Sequence, residues 1–219
     1  MTRPVRSDPA VAFADLVEVM DRLRSPGGCP WDVEQTHATL LPHAIEEVAE
    51  VVEAVEAGDR AGMREELGDL LLQVVFHARV AQEDPEDPFD IGDVAAGIAA
   101  KLRRRHPHVF GPEPTDGLGA TEVHRRWEAI KRAEKGRASA FDGVPPQLAA
   151  LARADKVLAR AERAGLAVDG TAGDDVGARL LALVVEARAA GVDPEAALRA
   201  RVRALESDLR ERERAEGLR

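Results

Sequence analysis

Two segments with the apolar periodicity of an α-helix, separated by a short break around Gly58, occupy residues 44–78. A break of this length joins antiparallel neighbouring helices, and a glycine suits the left-handed conformation that ends a helix. The stretch therefore predicts a helical hairpin, and we expect an all-α protein of the four-helix-bundle type around it. The apolar positions are Ile45, Val48, Val52 and Val55 in the first helix and Leu67, Leu70, Leu71, Val74 and Val75 in the second.

Five acidic residues lie along this hairpin at helical spacing. At about 100° per residue, Glu50 projects together with Glu46 and Glu47 from the first helix. Glu66 and Asp69 project together from the second. Counted outward from residue 58, Glu50 is level with Glu66, and Glu47 is nearly level with Asp69. The spacing therefore predicts two pairs of carboxylates opposite each other.

These acids allow two interpretations. An acidic helix face opposite an apolar one is usually solvated, and the first helix alone favours that interpretation. In the second helix, however, Glu66 and Asp69 are flanked by leucines and Phe76, and burying unpaired carboxylates is costly unless a divalent cation binds them. Carboxylate oxygens suit Mg²⁺ or Mn²⁺ better than zinc. A di-iron centre is a poor match because only one Glu-x-x-His pair, Glu34 and His37, is present.

The composition narrows the classes of protein. Aromatic residues make up only 3 % of the 219-residue chain, with no tyrosine, which favours helices packed through alanine, leucine and valine. A formal net charge of −10 argues against a nucleic-acid partner, because such proteins need basic surface to neutralise phosphates. Cys29 is the single cysteine, which excludes an intramolecular disulfide and a cysteine-cluster metal site. Because no apolar run is long enough to span a membrane, we expect a cytoplasmic protein without a membrane partner.

The order of the predicted helices divides the chain into a main module and a smaller C-terminal part. Residues 1–12 are expected to be a disordered N-terminus, and residues 13–135 the main module. Residues 136–169 are expected to be a linker and a connector helix, and residues 170–219 a final helical segment. Outside the hairpin, helices are predicted from Phe13 to the glycine-rich segment at 25–30, from Ile91 to Arg105, from Thr121 past Lys131, and over 146–165, 176–190 and 195–216.

Helix-capping residues mark several of these boundaries. Asp32 is expected to cap a short helical turn, and Thr39 with Pro42 to mark the entry into the hairpin. Asp90 is expected to cap the helix that begins at Ile91.

A weak internal repeat appears at an offset of 109 residues. EELGDLLLQVVFHAR, at 65–79, aligns with DDVGARLLALVVEAR, at 174–188. The acids are not repeated, because Asp69 aligns with Ala178 and Glu66 with Asp175. The C-terminal segment therefore reads as a degenerate, truncated copy of the first.

Basic and aromatic residues further along the chain also have two interpretations. Lys101, Arg105 and Lys131 can bind the phosphates of a substrate, or they can complement the dipole of the helix that carries them. Trp127 and Trp31 can stack on a base or fill the core.

Taken together, these residues resemble the MazG family of nucleoside triphosphate pyrophosphohydrolases. The resemblance covers residues 13 to about 135. The segment at 141–157 also resembles the family's connector between its two repeats. The motifs are CPWDVEQTH at 29–37, EEVAE at 46–50, EELGDLLLQVVFHA at 65–78, KLRRRHPHVF at 101–110 and RRWEAIK at 125–131.

The resemblance implies roles for individual residues. The family pattern is EExxE followed by ExxD, and it implies that Mg²⁺, with Mn²⁺ as an alternative, is the cofactor. Its implied ligands are Glu46, Glu47, Glu50, Glu66 and Asp69. The residues implied to hold the nucleotide are Lys101, Arg105, Trp127 and Lys131. By analogy with related all-α pyrophosphatases, Trp31 and Gln35 approach the base.

The implied reaction converts a (d)NTP and water to the (d)NMP and pyrophosphate, as a house-cleaning step for the nucleotide pool. One carboxylate, for which Glu47 is a candidate, serves as general base. The resemblance also implies a homodimer or a higher homo-oligomer. Longer family members carry a second EExxE and ExxD, which this chain lacks, so an active site would be the N-terminal one. The alternative is a non-catalytic helical dimer that binds nucleotides or a protein partner.

Overall fold

The computed structural model of the protein describes residues 8–111, 119–135, 139–168, 173 and 175–217. Over these residues it has ten helices and no strand, which confirms the all-α fold. The chain divides into two compact units, Met1–Trp127 and Glu128–Arg219. The helices are α1 (Pro9–Arg24), α2 (Pro30–Glu34), α3 (His37–Ala57), α4 (Arg60–Ala81), α5 (Ile91–Arg105), α6 (Pro107–Phe110), α7 (Ala120–Lys135), α8 (Ala150–Arg163), α9 (Val176–Ala189) and α10 (Pro194–Ala215).

The predicted hairpin is formed by α3 and α4. Gly58 ends α3 in the left-handed conformation, with φ of 69°, and its N–H donates to the carbonyl of Val55. Asp59 then caps α4 by accepting hydrogen bonds from the N–H groups of Ala61 and Gly62. The turn predicted from the glycine is therefore confirmed, and it makes α3 and α4 antiparallel neighbours.

Several predicted helix starts differ from the structure. Asp32 does not cap a helical turn, because α2 begins at Pro30, after Cys29, and Asp32 lies inside it. The helix predicted from residue 146 begins at Ala150. Helix α3 begins at His37, ahead of the entry predicted at Thr39 and Pro42, because Thr36 and Thr39 form a capping box through reciprocal backbone and side-chain hydrogen bonds. Pro42 is accommodated inside the helix. Helix α1 begins at Pro9, inside the segment expected to be disordered, and is capped by Asp8. Residues 1–7, 136–138 and 169–172, on which parts of the predicted domain division fall, lie outside the described residues.

The core of the first unit lies where α1 and the start of α3 meet the C-terminal half of α4. Met20, Leu40, Val75 and Phe76 are buried there, and partly buried leucines and valines of α1 and α4 pack around them. Most of the apolar positions that define the hairpin in the sequence are not part of this core. They form an exposed surface, the hairpin apolar stripe, which consists of Ile45, Val48, Val55, Leu67, Leu71 and Val74.

Arg24, at the end of α1, ties three elements together. Its guanidinium donates hydrogen bonds to the carbonyls of Asp32 and Gln35, at 2.6 and 2.9 Å, and to both carboxylate oxygens of Glu83, each at 2.9 Å. The hydrogen bonds from Arg24 to Glu83 hold the pKa of the Glu83 carboxyl below its ordinary value. The buried arginine therefore fixes the α2 segment, which carries Trp31, against α1 and the end of α4.

The second unit contains α8, α9 and α10, close to the three helices predicted for it. Leu158, Ala161 and Val184 are buried in it. Asp175, which aligns with Glu66 in the repeat, caps α9 by accepting a hydrogen bond from the N–H of Ala178 at 3.0 Å. In the second copy, the acid at the position of Glu66 therefore caps a helix. Among the described residues, no helix is long and apolar enough to cross a membrane.

Candidate metal centre and nucleotide site

Three of the predicted acids meet across the hairpin. Glu47 on α3 and Glu66 and Asp69 on α4 each offer a carboxylate oxygen, and these oxygens all lie within 4.8 Å of one another. Glu47 and Glu66 are half-buried. We call these three residues the acid cluster.

Burial and neighbouring negative charges raise the pKa of two carboxyls in the acid cluster. Burial, followed by the charges of Asp69 and Glu50, raises the pKa of the Glu47 carboxyl. Burial, followed by the charges of Glu50 and Glu65, raises the pKa of Glu66. Glu50 acts on both residues and therefore lies beside the cluster, as the sequence spacing predicted. Glu46 is exposed on the same helix and contributes no oxygen to the group.

The donor set of the acid cluster fits a hard divalent cation. All three donors are carboxylate oxygens, which Mg²⁺ and Mn²⁺ prefer. Burial and, after it, the charges of neighbouring carboxylates raise the pKa of two of these carboxyls, and a cation bound between them would offset both effects. The cluster can therefore hold a metal ion against the phosphates of an anionic ligand.

An aromatic group lies further along the hairpin, away from the turn. The Trp31 ring contacts the rings of His43 and Phe76 edge-on, with centroids 5.9 and 6.4 Å apart. Trp31 is 52 % exposed, so one side of its ring is available to a ligand. His43 precedes Glu47 by one helical turn on α3, which brings the aromatic group next to the acid cluster along that helix.

Both polar atoms of the Gln35 side chain form hydrogen bonds within the protein. Its Nε2 donates to the carbonyl of Trp31 at 2.9 Å, and its Oε1 accepts from the Thr39 hydroxyl at 2.7 Å. Gln35 is buried, so these bonds hold the Trp31 segment in place. A direct contact between Gln35 and a base stays a prediction.

Two of the predicted nucleotide-binding residues contact each other. Arg105, at the end of α5, is buried, and its guanidinium lies over the Trp127 ring, 5.5 Å from the centroid. Lys101 lies one turn earlier on α5, and Lys131 lies one turn after Trp127 on α7; both are half-buried. The Trp127 ring therefore orients one of the predicted phosphate-binding cations.

A pair of histidines, which the sequence did not predict, links α3 and α4 at the end of the hairpin opposite the Gly58 turn. The Nδ1 atoms of His37 and His77 are 2.8 Å apart, so one ring donates and the other accepts, and the two rings are within 3° of parallel. Burial and the proximity of His37 lower the pKa of His77. The sequence does offer one signal for this pair: His77 lies on the same face of α4 as Asp69 and therefore faces α3.

The region that contains this site is similar in sequence to known proteins. Residues 35–110 match the MazG nucleotide pyrophosphohydrolase domain. A nucleoside triphosphate pyrophosphohydrolase of Escherichia coli (strain K12) is 46 % identical over 184 residues, which is 81 % of this chain and 68 % of the relative. The nucleoside triphosphate pyrophosphohydrolase/pyrophosphatase MazG of Thermotoga maritima is 38 % identical over 216 residues, which is 88 % of this chain and 82 % of the relative.

An uncharacterized 26.1 kDa protein of Streptomyces cacaoi is 50 % identical over 194 residues, covering 88 % of this chain and 78 % of the relative. The matched domain contains the whole acid cluster, and the relatives extend the similarity over most of both units. The chain belongs to the MazG family.

Proposed function

We infer that this protein is a nucleoside triphosphate pyrophosphohydrolase that converts a (d)NTP and water to the (d)NMP and pyrophosphate. The observation that carries this inference is the meeting of Glu47, Glu66 and Asp69 across the hairpin, inside the matched family domain. We propose removal of unwanted nucleotides from the cytoplasmic pool as its role.

We propose Mg²⁺ as the cofactor, with Mn²⁺ as an alternative, held by the acid cluster and the neighbouring Glu50. A divalent cation in such a site polarises the phosphate oxygens and offsets their charge. Glu46 is the least supported of the five acids implied by the family pattern, because it lies outside the group of converging oxygens.

Glu47 is the carboxylate best placed to act as general base. It interacts with Glu50, Glu66 and Asp69, so its carboxylate lies at the centre of the proposed metal site, beside the place of the attacking water. In this assignment Glu47 takes the proton of the attacking water at a carboxylate oxygen.

The remaining predicted residues have roles in holding the nucleotide. We assign Lys101, Arg105 and Lys131 to the negative charge of the triphosphate, with Trp127 orienting the Arg105 guanidinium. The half-exposed Trp31 ring offers a stacking surface for the base, and Gln35 holds that ring in place.

We propose that the chain forms a homodimer, or a higher homo-oligomer, through the hairpin apolar stripe. Ile45 is 67 % exposed and Val48 is 49 % exposed, on the helix that carries Glu47. Exposed apolar side chains at helical spacing on two adjacent helices are typical of an interface. A second copy would cover the stripe and complete a four-helix bundle beside the acid cluster.

Replacing Val48 with glutamate is expected to raise the dimer dissociation constant at least about a hundredfold, because a charge would be buried in an apolar interface. Analytical ultracentrifugation of the full chain measures this change. Val19→Glu is the matched control, since Val19 is 48 % exposed on α1, outside the stripe. A monomeric wild-type chain, or equal dissociation constants for wild type and Val48→Glu, would rule out this interface.

The function is tested by incubating the protein with each (d)NTP and Mg²⁺ and identifying both products. We expect equal amounts of pyrophosphate and nucleoside monophosphate from at least one nucleotide. Release of phosphate and nucleoside diphosphate would indicate a different reaction. Tight binding of nucleotides without turnover would favour the non-catalytic alternative.

A further inference from the structure

Gln73 is a buried residue of α4 whose side chain has an unsatisfied polar atom. Its exposed fraction is 8 %, and its Oε1 has no hydrogen-bond partner among the described residues. A buried carbonyl oxygen without a partner destabilises a fold, so such atoms commonly serve a ligand or an internal water.

The neighbours of Gln73 along α4 show that it faces α3. Asp69 precedes it by one turn and meets Glu47 of α3, and His77 follows it by one turn and contacts His37 of α3. At about 100° per residue, these three positions of α4 share one face of the helix. Gln73 therefore projects toward α3, between the acid cluster and the histidine pair.

The positions of these contacts along α3 and α4 place Gln73 beside the aromatic group of Trp31, His43 and Phe76. Residue 73 is midway between residues 69 and 77, and its level on α3 is midway between residues 37 and 47. His43, whose ring contacts Trp31, lies at that level. A rise of about 1.5 Å per residue places Gln73 roughly 6 Å from Asp69 along the axis of α4. Gln73 therefore lies at a level between the acid cluster, where the phosphates are proposed to bind, and the ring of Trp31, where the base is proposed to stack.

We propose that Gln73 recognises the nucleobase, with its Oε1 accepting a hydrogen bond from an N–H group on the edge of the base. This proposal rests on the proposed function, because it takes the position of the phosphates from the metal centre. It makes Gln73 a residue that determines specificity, alongside the stacking surface of Trp31.

Gln73→Met, which keeps the length of the side chain and removes its hydrogen bonds, tests the proposal. We expect kcat/KM for the preferred (d)NTP to fall about tenfold or more, because a base N–H then has no acceptor in a buried site. The inhibition constant of tripolyphosphate, which has neither base nor sugar, should not change. The ratio of kcat/KM for ribo- and deoxyribonucleotides should also stay constant, because the contact is to the base.

A matched control and a stability measurement separate this role from a structural one. Gln82→Met makes the same chemical change at the exposed end of α4 and should leave kcat/KM unchanged. Denaturant titration of Gln73→Met should show equal or greater stability than wild type, since an unsatisfied carbonyl is removed. Equal losses for nucleotides and tripolyphosphate, unchanged kcat/KM, or a loss of stability alone would overturn the proposal. Pyrophosphate release by the wild-type chain tests the proposed function separately.

Helix α10 carries an exposed apolar seam that is independent of the acidic site. Its apolar residues are spaced by four, three and four positions, as in the a and d positions of a coiled coil. Pro194 is the only buried residue of α10, and the seam residues are 48–56 % exposed. The seam consists of Leu198, Val202, Leu205 and Leu209.

The charges that flank this seam are complementary only in one orientation of two copies. In an antiparallel pair centred between residues 203 and 204, the charged residues that flank the seam between residues 195 and 212 face opposite charges. In a parallel pair, Asp208 would face Glu213 of the second copy, and Arg212 would face its own equivalent. The antiparallel facing pairs are Leu198 with Leu209, Val202 with Leu205, Glu195 with Arg212, Arg199 with Glu206 and Arg201 with Asp208.

We infer that α10 pairs in antiparallel orientation with α10 of a second copy of this chain. Disulfide cross-linking of the full chain with Cys29→Ser tests the orientation. Adding Leu198→Cys and Leu209→Cys together should give a covalent dimer under mild oxidation, whereas Leu198→Cys alone should give none. Those two positions are about 16 Å apart within one helix, too far for an internal disulfide.

Charge reversal tests the same pairing without relying on one variant. Arg201→Asp should reduce the cross-linking yield of the double-cysteine chain, and adding Asp208→Arg should restore it. Cross-linking of Leu198→Cys alone would indicate a parallel pair, and absence of cross-linking in every variant would show that α10 does not pair. Either result overturns the inference.

Discussion

Replacing Glu66 with glutamine is expected to lower kcat for pyrophosphate release about a hundredfold to a thousandfold, with the fold intact. Glu66 supplies one of the three oxygens that lie within 4.8 Å of one another, and glutamine keeps its shape but removes its charge. A bound metal ion stabilises developing phosphate charge by several kcal/mol, and about 1.4 kcal/mol corresponds to a tenfold change in rate. The rate is measured at saturating (d)NTP and Mg²⁺.

The same substitution should raise the free energy of unfolding in metal-free buffer. Burial and the charges of Glu50 and Glu65 raise the pKa of Glu66, so folding disfavours its ionised form. An acid with a raised pKa destabilises the folded state above its unfolded pKa, near 4.5, and this penalty is absent below that pH. The stability gain of Glu66→Gln should therefore be present at neutral pH and disappear in acid.

Glu46→Gln is the matched control for both effects. Glu46 lies on the same hairpin, is exposed, and contributes no oxygen to the acid cluster. Its variant should keep kcat and stability close to those of the wild type. A Glu46→Gln variant as slow as Glu66→Gln, or a Glu66→Gln variant with wild-type kcat, would contradict the assignment of the metal ligands.

Replacing Arg24 with methionine is expected to lower the free energy of unfolding by about 3 kcal/mol. The substitution leaves the carbonyls of Asp32 and Gln35 without their donor and removes the ion pair with Glu83. Part of the loss should disappear as the pH falls from about 4.5 through the lowered pKa of Glu83, because that pKa is lowered chiefly by the hydrogen bond to Arg24 and protonation ends that contribution. Urea titrations at neutral and acidic pH measure both effects.

The Arg24 substitution should also raise KM for the (d)NTP, because the α2 segment that carries Trp31 loses its attachment. Arg22→Met is the control, since Arg22 is exposed on the same helix. If Arg24→Met were no less stable than Arg22→Met, Arg24 would not hold this segment.

The sequence predicted those parts of the structure that depend on local signals. The hairpin follows from helical periodicity and from Gly58, whose φ of 69° is the conformation expected at a helix end. Because both helices are regular, counting from the turn also predicted that Glu47 would meet Asp69. The missing acids of the second repeat are likewise visible from residue identity alone.

Other features depend on contacts between distant residues and were not predicted. Periodicity identifies which apolar residues share a face but not what covers them, so the exposure of Ile45 was not expected. Arg24 bonds Glu83, which is 59 residues away, and no local pattern marks that pair. The start of α3 depends on the capping box of Thr36 and Thr39, which overrides the boundary suggested by Pro42.

If the acidic hairpin binds the catalytic metal ion, metal binding and activity should be lost together. Mn²⁺ binding, followed by electron paramagnetic resonance, and pyrophosphate release should be measured on the same samples of wild type, Glu46→Gln and Glu66→Gln. We expect wild type and Glu46→Gln to bind Mn²⁺ and release pyrophosphate, and Glu66→Gln to lose both together. Pyrophosphate release that persists at the wild-type rate after Mn²⁺ binding is lost would contradict the claim.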